Sequence, residues 1–183
     1  MTRALLDEIL DPTRLSALDE TGLLDHLPVA SLDRYTRIAA HALGVPVALV
    51  SLVDDRRQFF VSQVGLPEPW SITRETPLSH SFCKHVVADR APLVVEDSRT
   101  HPVVRDNPSV WDLSVVAYAG LPIETGDRHV IGSFCAIDGK PRAWSGRDLA
   151  ILRDLADAVG EEADLRRRLA RAEGDAPSGK QTR

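Results

Sequence analysis

Cysteine is scarce in this chain of 183 residues: Cys83 and Cys135 are the two present, 52 positions apart. Neither belongs to a C-x-x-C pair, which removes zinc-ribbon and thioredoxin-like patterns. In a reducing compartment both are free thiols. Positive charge is also short. The formal net charge is -5, so the basic footprint that nucleic acid requires is missing. No apolar run approaches the roughly 20 residues needed to span a bilayer. The amino terminus carries no signal-peptide pattern, because Asp7 and Glu8 interrupt its short apolar run. The expectation is a cytoplasmic protein with neither nucleic acid nor membrane as partner. No internal repeat is visible.

What is present is ordinary for a globular protein: 43% hydrophobic and 27% charged residues, in a length suited to one domain with extensions. Residues 1–30 read as a helical preface, 31–160 as one domain, 161–173 as the extension of a closing helix and 174–183 as a disordered polar tail. In the preface, Leu5, Leu6, Ile9 and Leu10 form one stripe, Asp11-Pro12 interrupts it, and Thr13 caps a second short helix.

The domain opens with Ser31 as N-cap of a helix. Leu32, Tyr35, Ile38, Ala39, Ala42 and Leu43 make its stripe, and Gly44 stops it. Val47 to Val53 is apolar on both faces apart from Ser51, as a covered central strand requires. A polar turn leads into a second strand, Gln58 to Val64. Leu66 to Pro77 reads as a loop anchored by Trp70. A short helix follows, capped by Ser79 or Ser81 and running to about Ala88. Strands are expected at Pro92–Glu96, Val115–Ile123 and Val130–Ile137, with the polar loop Asp97–Pro108 between the first two and Gly126-Asp127 turning into the last. Ser145 caps a final helix that continues to about Glu173.

Several strings within this order are characteristic. They include Gly44-Val45-Pro46-Val47-Ala48-Leu49-Val50-Ser51-Leu52-Val53-Asp54, Gln58-Phe59-Phe60, Glu75-Thr76-Pro77 and Ser81-Phe82-Cys83. Val94-Val95-Glu96-Asp97, Asp106-Asn107-Pro108, Tyr118-Ala119-Gly120 and Gly132-Ser133-Phe134-Cys135-Ala136-Ile137-Asp138 complete the set. Across roughly residues 14–160 the chain resembles the GAF domain family, in particular a bacterial sensory subgroup found beside kinase, phosphatase and diguanylate cyclase outputs. The resemblance implies an α+β fold: a twisted antiparallel sheet, amino- and carboxy-terminal helices on one face, and a loop-roofed ligand pocket on the other. It implies a sensory or small-molecule-binding module rather than an enzyme, standing alone without a catalytic output domain and working as a homodimer, with a signalling protein as possible partner. One fold hosts many sites, so ligand and cofactor are left unnamed. The Asn-Lys-Phe-Asp-Glu signature of cyclic-nucleotide-binding members is missing. Cys83 is followed by Lys84, not by the His of covalent bilin attachment.

Candidate pocket residues follow from placement. Phe59, Phe60, Phe82 and Phe134 would wall a pocket or a solid core, and Ser51 is the polar break in its strand. Asp97, Arg105, Asp106 and Asn107 lie on the expected roof loop, where they either orient a polar ligand or make turn hydrogen bonds. Tyr118 stands beside Gly120, with its hydroxyl aimed into the pocket or at a loop carbonyl.

Cys83 sits in the first turn of the short helix, where the helix dipole lowers a thiol pKa. Lys84 and His85 are its neighbours, and the alternative is a small buried hydrophobe. With Cys135 it would make a thiol redox sensor or reductase if both faced the pocket, a disulfide needing Cα atoms within roughly 7 Å. His80, His85 and His101, spaced by 5 and 16, fit no zinc pattern, so no metal is expected. A single axial histidine for haem stays open. On the last helix, Leu152, Leu155, Val159, Leu165 and Leu169 form a candidate dimer seam. A ligand-free dimerisation scaffold is the remaining reading.

Overall fold

A computed structural model describes residues 3–25 and 28–174. Of the tail expected at 174–183, Gly174 belongs to the last helix and 175–183 lie outside the described residues. Two short helices lead the chain, α1 (Arg3–Ile9) and α2 (Pro12–Asp19). The cap of α2 is Asp11 rather than Thr13: its carboxylate accepts from the Thr13 amide at 2.7 Å, and Pro12 occupies the first helical turn. Arg14, 1% exposed, ties this preface to the domain by donating to the carbonyls of Ile9 at 2.5 Å and Val53 at 2.8 Å.

α3 (Ala30–Leu43) ends at Gly44, which takes φ 61° at the C-cap. Ser31 does not cap it. The cap position is Val29, two residues earlier, and the Ser31 hydroxyl donates instead to Glu162 at 2.7 Å. Six strands follow: β1 (Val47–Val53), β2 (Arg57–Val64), β3 (Glu75–Pro77), β4 (Leu93–Val95), β5 (Ala117–Glu124) and β6 (Val130–Asp138). They form one antiparallel sheet in the order β3-β2-β1-β6-β5-β4. The segment read as a plain loop supplies α4 (Trp70–Thr73) and the edge strand β3. A 3-10 turn (Leu78–His80) precedes α5 (Cys83–Asp89), and α6 (Ser109–Asp112) precedes β5. The chain closes with α7 (Gly146–Gly174). Ser145 caps it, its hydroxyl accepting from the Asp148 amide while Asp148 accepts from the Ser145 amide, both at 3.1 Å.

The sheet separates two cores. On one face α3 and α7 bury Leu32, Ala39, Leu43, Leu152, Ala156 and Val159 against Val50, Leu52, Phe59 and Phe134. On the other, α1, α5 and the connections around α6 cover Leu49, Val53, Phe60, Tyr118 and Cys135. A β-bulge sets which side chains face which side. Val50 pairs with Ser62 but Ser51 pairs with Phe60, so Val61 is left over. Phe60 therefore faces α5, while Ser62 faces α3 and shares a 2.9 Å hydrogen bond with Thr36.

Two sequence expectations are corrected by this layering. Phe59 and Phe134 wall no pocket, because strand alternation turns them into the α3–α7 core. Leu152 and Val159, both 0% exposed, pack on the chain's own sheet and are not free for a dimer seam. Leu155 is half-buried, and Leu165 and Leu169 are exposed. Among the described residues no helix is long and apolar enough to cross a membrane.

Candidate functional site

The sheet centre beneath α5 carries polar groups among apolar neighbours. Ser51 of β1 lies opposite Ser133 of β6, and Leu49 lies opposite Cys135. β5 places Gly120 opposite Cys135. Because Gly120 has no side chain, Tyr118 from the same strand can lean across it, bringing its hydroxyl to 3.3 Å from Ser133 Oγ. Cys83, the first residue of α5, descends from above. Its Sγ lies 3.3 Å from Tyr118 Oη and 3.9 Å from Cys135 Sγ. All five groups are buried, and Ser51 Oγ has no hydrogen-bond partner at full bonding distance among the described residues.

The electrostatics are asymmetric. The Cys83 thiol is held below its ordinary value, first by the hydrogen bond from Cys135, with Tyr118, Ser51 and Ser133 assisting against the cost of burial. Cys135 moves up because it donates to Cys83 and is itself desolvated. Tyr118 also moves up, through burial and then the neighbouring thiols.

A polar network fastens the roof over this cluster. Ser81 Oγ donates to Gln58 at 2.6 Å and accepts from the Lys84 amide at 2.9 Å. Asn107 donates from Nδ2 to the Ser81 carbonyl at 3.3 Å and accepts from the Ser109 amide at 2.9 Å. Ser109 Oγ donates to the His80 carbonyl at 2.6 Å, and His80 Nε2 lies 3.1 Å from Asp112 Oδ2. The chamber below, lined by Leu49, Phe60, Phe82, Tyr118 and Cys135, holds only about 20 Å³, room for one water. Phe82 fills it from above, its ring centroid 5.3 Å from that of Tyr118.

Beside the chamber runs a preformed cleft of about 560 Å³ between α1, α5 and the 103–108 loop, lined by Leu5, Lys84, His85, Asp89, Val103, Asp106 and Asn107. Lys84 is 8% exposed. Its ammonium donates to the Leu78 carbonyl at 2.8 Å and has no carboxylate partner among the described residues. Burial accordingly lowers its pKa. His85 falls to about 4, through burial first and then repulsion from Lys84.

Of the residues singled out from sequence, Phe60, Phe82, Cys83 and Tyr118 line the chamber, Ser51 lies near Cys83, and His85 and Asn107 line the cleft. Asp97 and Arg105 are corrections. Asp97 accepts from the Arg99 amide and guanidinium in a local turn, at 3.1, 2.8 and 2.6 Å. Arg105 faces solvent beside Asp106 at 3.6 Å. Ser133, the cross-strand neighbour of Ser51, joins the site unpredicted, although a second serine breaking an apolar central strand is a signal for it. Lys84 joins it too, and nothing in its local sequence marks its burial. Among the described residues, no three His, Cys, Asp or Glu side chains are placed to hold a metal ion.

Comparison with known proteins matches this architecture. The family model of the GAF domain matches residues 28–162. A cyclic di-GMP phosphodiesterase of Pseudomonas aeruginosa is 32% identical over 149 residues, covering 80% of this chain. The chain spans only 24% of the length of that curated relative. Among solved structures, the GAF domain of an Acinetobacter phosphoenolpyruvate-protein phosphotransferase superposes with a TM-score of 0.63 at 19% identity, covering 90% of this chain and 99% of that one. Free methionine-R-sulfoxide reductase from Neisseria meningitidis, in complex with its substrate, gives 0.59 at 20% identity over 94% and 95%. The blue-light absorbing form of the PixJ GAF domain from Thermosynechococcus elongatus gives 0.58 at 16% identity over 90% and 94%. At these identities the structural likeness speaks for the fold alone.

Proposed function

The chain belongs to the GAF domain family, and on that premise we propose that it is a sensory module whose ligand is a small anionic molecule taken up in the cleft beside α5. The observation that carries this reading is Lys84, a cation 8% exposed at the wall of a 560 Å³ cleft, with no carboxylate partner among the described residues. A buried charge is stable only when paired, and an anion from solution supplies the missing pair. His85 and the Asn107 side chain flank it, and Leu5 and Val103 offer apolar contact to the rest of the ligand. Asp89 and Asp106 on the same rim disfavour large polyanions.

Binding would act through α5, because Lys84 and His85 share that helix with Cys83 over the central strands. The relative named for cyclic di-GMP hydrolysis motivates the output we propose: control of a signalling enzyme, with no hydrolytic role for the matched region itself. A second copy of the chain is the occupant proposed for the face carrying exposed Leu165 and Leu169, in a cytoplasmic homodimer.

Thermal-shift and native mass spectrometry titrations with monocarboxylates, dicarboxylates, inorganic phosphate and cyclic nucleotides test the ligand reading. A saturable shift lost in Lys84→Met supports it. The same shift in Lys84→Met and wild type places the ligand elsewhere.

The thiol reductase is the second reading, favoured by the 3.9 Å separation of Cys83 and Cys135. Turnover of free methionine sulfoxide with a dithiol reductant, abolished in Cys83→Ser, would establish it. No turnover ends it.

A further inference from the structure

The two cysteines lie 52 residues apart in sequence, yet their sulfurs are 3.9 Å apart across the α5–sheet interface. Nothing stands between them. Cys83 is 2% exposed and Cys135 0%, and both border the water-sized chamber. We propose that Cys83 and Cys135 are a covalent modification site: hydrogen peroxide oxidises them to an intramolecular disulfide, which a thiol reductant reverses. This stands independently of the anionic ligand and of methionine sulfoxide turnover.

The chemistry assigns distinct roles to the pair. The Cys83 thiolate accepts hydrogen bonds from Cys135 and from Tyr118, the latter at 3.3 Å. It attacks one peroxide oxygen and the O–O bond breaks. The departing oxygen leaves as water after taking up a proton, and Cys83 becomes a sulfenic acid. Cys135 then gives up its proton and its sulfur attacks Cys83 Sγ. The S–S bond forms, the S–O bond breaks, and that oxygen leaves as a second water. Two thiols lose two electrons and two protons, and one peroxide becomes two waters. Hydrogen peroxide is little larger than water, which suits a chamber of about 20 Å³ bordered by both sulfurs.

A disulfide spans about 2.05 Å, so the sulfurs must close roughly half of their 3.9 Å separation. Cys135 belongs to a central strand held between β1 and β5, whereas Cys83 begins the seven-residue helix α5. Rotation of the Cys83 side chain or a shift of α5 closes the gap, and Tyr118 then faces a neutral disulfide sulfur in place of a thiolate, with Lys84 and His85 next along the same helix at the cleft wall.

The test uses the full chain, fully reduced and freed of reductant, then exposed to hydrogen peroxide, quenched in acid and alkylated. The expected result is concerted loss of both free thiols, a cross-linked peptide pair containing Cys83 and Cys135, and recovery with dithiothreitol. In Cys135→Ser the expected product is a Cys83 sulfenic acid trapped by dimedone, with no cross-link. In Cys83→Ser, Cys135 stays unmodified at the same dose. Circular dichroism monitors the fold of each variant, and the wild-type cross-link map decides the question should either serine variant unfold. Retention of both thiols in the folded protein overturns the proposal. So does a cross-link confined to pairs of chains or to protein unfolded by denaturant.

Discussion

The Tyr118 hydroxyl occupies the space that a side chain at Gly120 would need: a Cβ there would lie 2.1 Å from Tyr118 Oη and 2.7 Å from Ser133 Oγ. The glycine is required for this close approach within one strand and not for a turn. It is what allows a tyrosine rooted in β5 to reach the thiol of α5.

Gly120→Ala therefore displaces the tyrosine. Overpacking of this kind costs about 1–3 kcal/mol, measurable by chemical denaturation. It also removes a donor from the Cys83 thiolate, so the pH midpoint of Cys83 alkylation rises. Tyr118→Phe separates the two effects. It keeps the ring against Phe82, deletes the hydroxyl and raises the same midpoint without the clash.

His85 has a folded-state pKa lowered to about 4, so its neutral form is the one the fold prefers. The unfolded chain takes up a proton near pH 6.5, and between these values it binds more protons than the native state. Stability from this group is complete above about pH 6.5 and is lost as the pH falls toward about 4. Wild type should lose stability in acid that His85→Gln retains, so the difference between their denaturation midpoints shifts against wild type as the pH falls from about 6.5 toward about 4. Histidine NMR titration would read the His85 midpoint directly.

Lys84 has the same sense of shift at the basic end. Burial lowers its pKa, so the native state sheds a proton that the unfolded chain still holds, and stability rises with pH through that interval. Lys84→Met removes a buried charge that lacks a carboxylate partner and keeps a side chain of similar length. Its melting temperature in the absence of ligand should equal or exceed that of wild type at neutral pH. A fall of several degrees would show that the ammonium is already well paired.

Arg167 fastens α7 to the rest of the fold. Its guanidinium donates to Asp127 at 2.7 and 2.8 Å and to Glu20 at 3.2 Å, and Asp164 lies at 3.4 Å. Asp127 is consequently held below the usual carboxylate range, by Arg167 first and by Thr125 next. A depressed acid contributes stability that is present above its unfolded value and lost as the pH falls toward the folded one. Arg167→Met should lower the melting temperature by a few degrees at neutral pH and by less in acid. Hydrogen exchange should locate the loss in the carboxy-terminal turns of α7 and in the turn around Gly126.

Leu152 and Leu165 sit on one helix with opposite roles. Leu152→Ala empties a site in the α3–α7 core and costs about 2–5 kcal/mol. Leu165→Glu alters a side chain that is 56% exposed, so stability should be unchanged while any self-association at this face weakens. Denaturation and light scattering read the two effects separately.

The sequence by itself determined most of the architecture. Apolar runs uninterrupted by charge marked β1, β5 and β6, period-3.6 stripes marked α3 and α7, and Gly44 and Ser145 marked helix ends. These signals are local, because a strand or helix writes its periodicity into neighbouring residues. Tertiary structure decided which face each residue serves. The bulge at Val61 reversed the alternation in β2, so Phe60 rather than Phe59 faces α5. Asp97 turned inward on its own loop to bind Arg99, which loop composition does not distinguish from a ligand contact. The meeting of Cys83 with Cys135, and of Ser51 with Ser133, depends on strand register and on the seating of α5. Those are long-range pairings, and no short stretch of sequence encodes the distance across them.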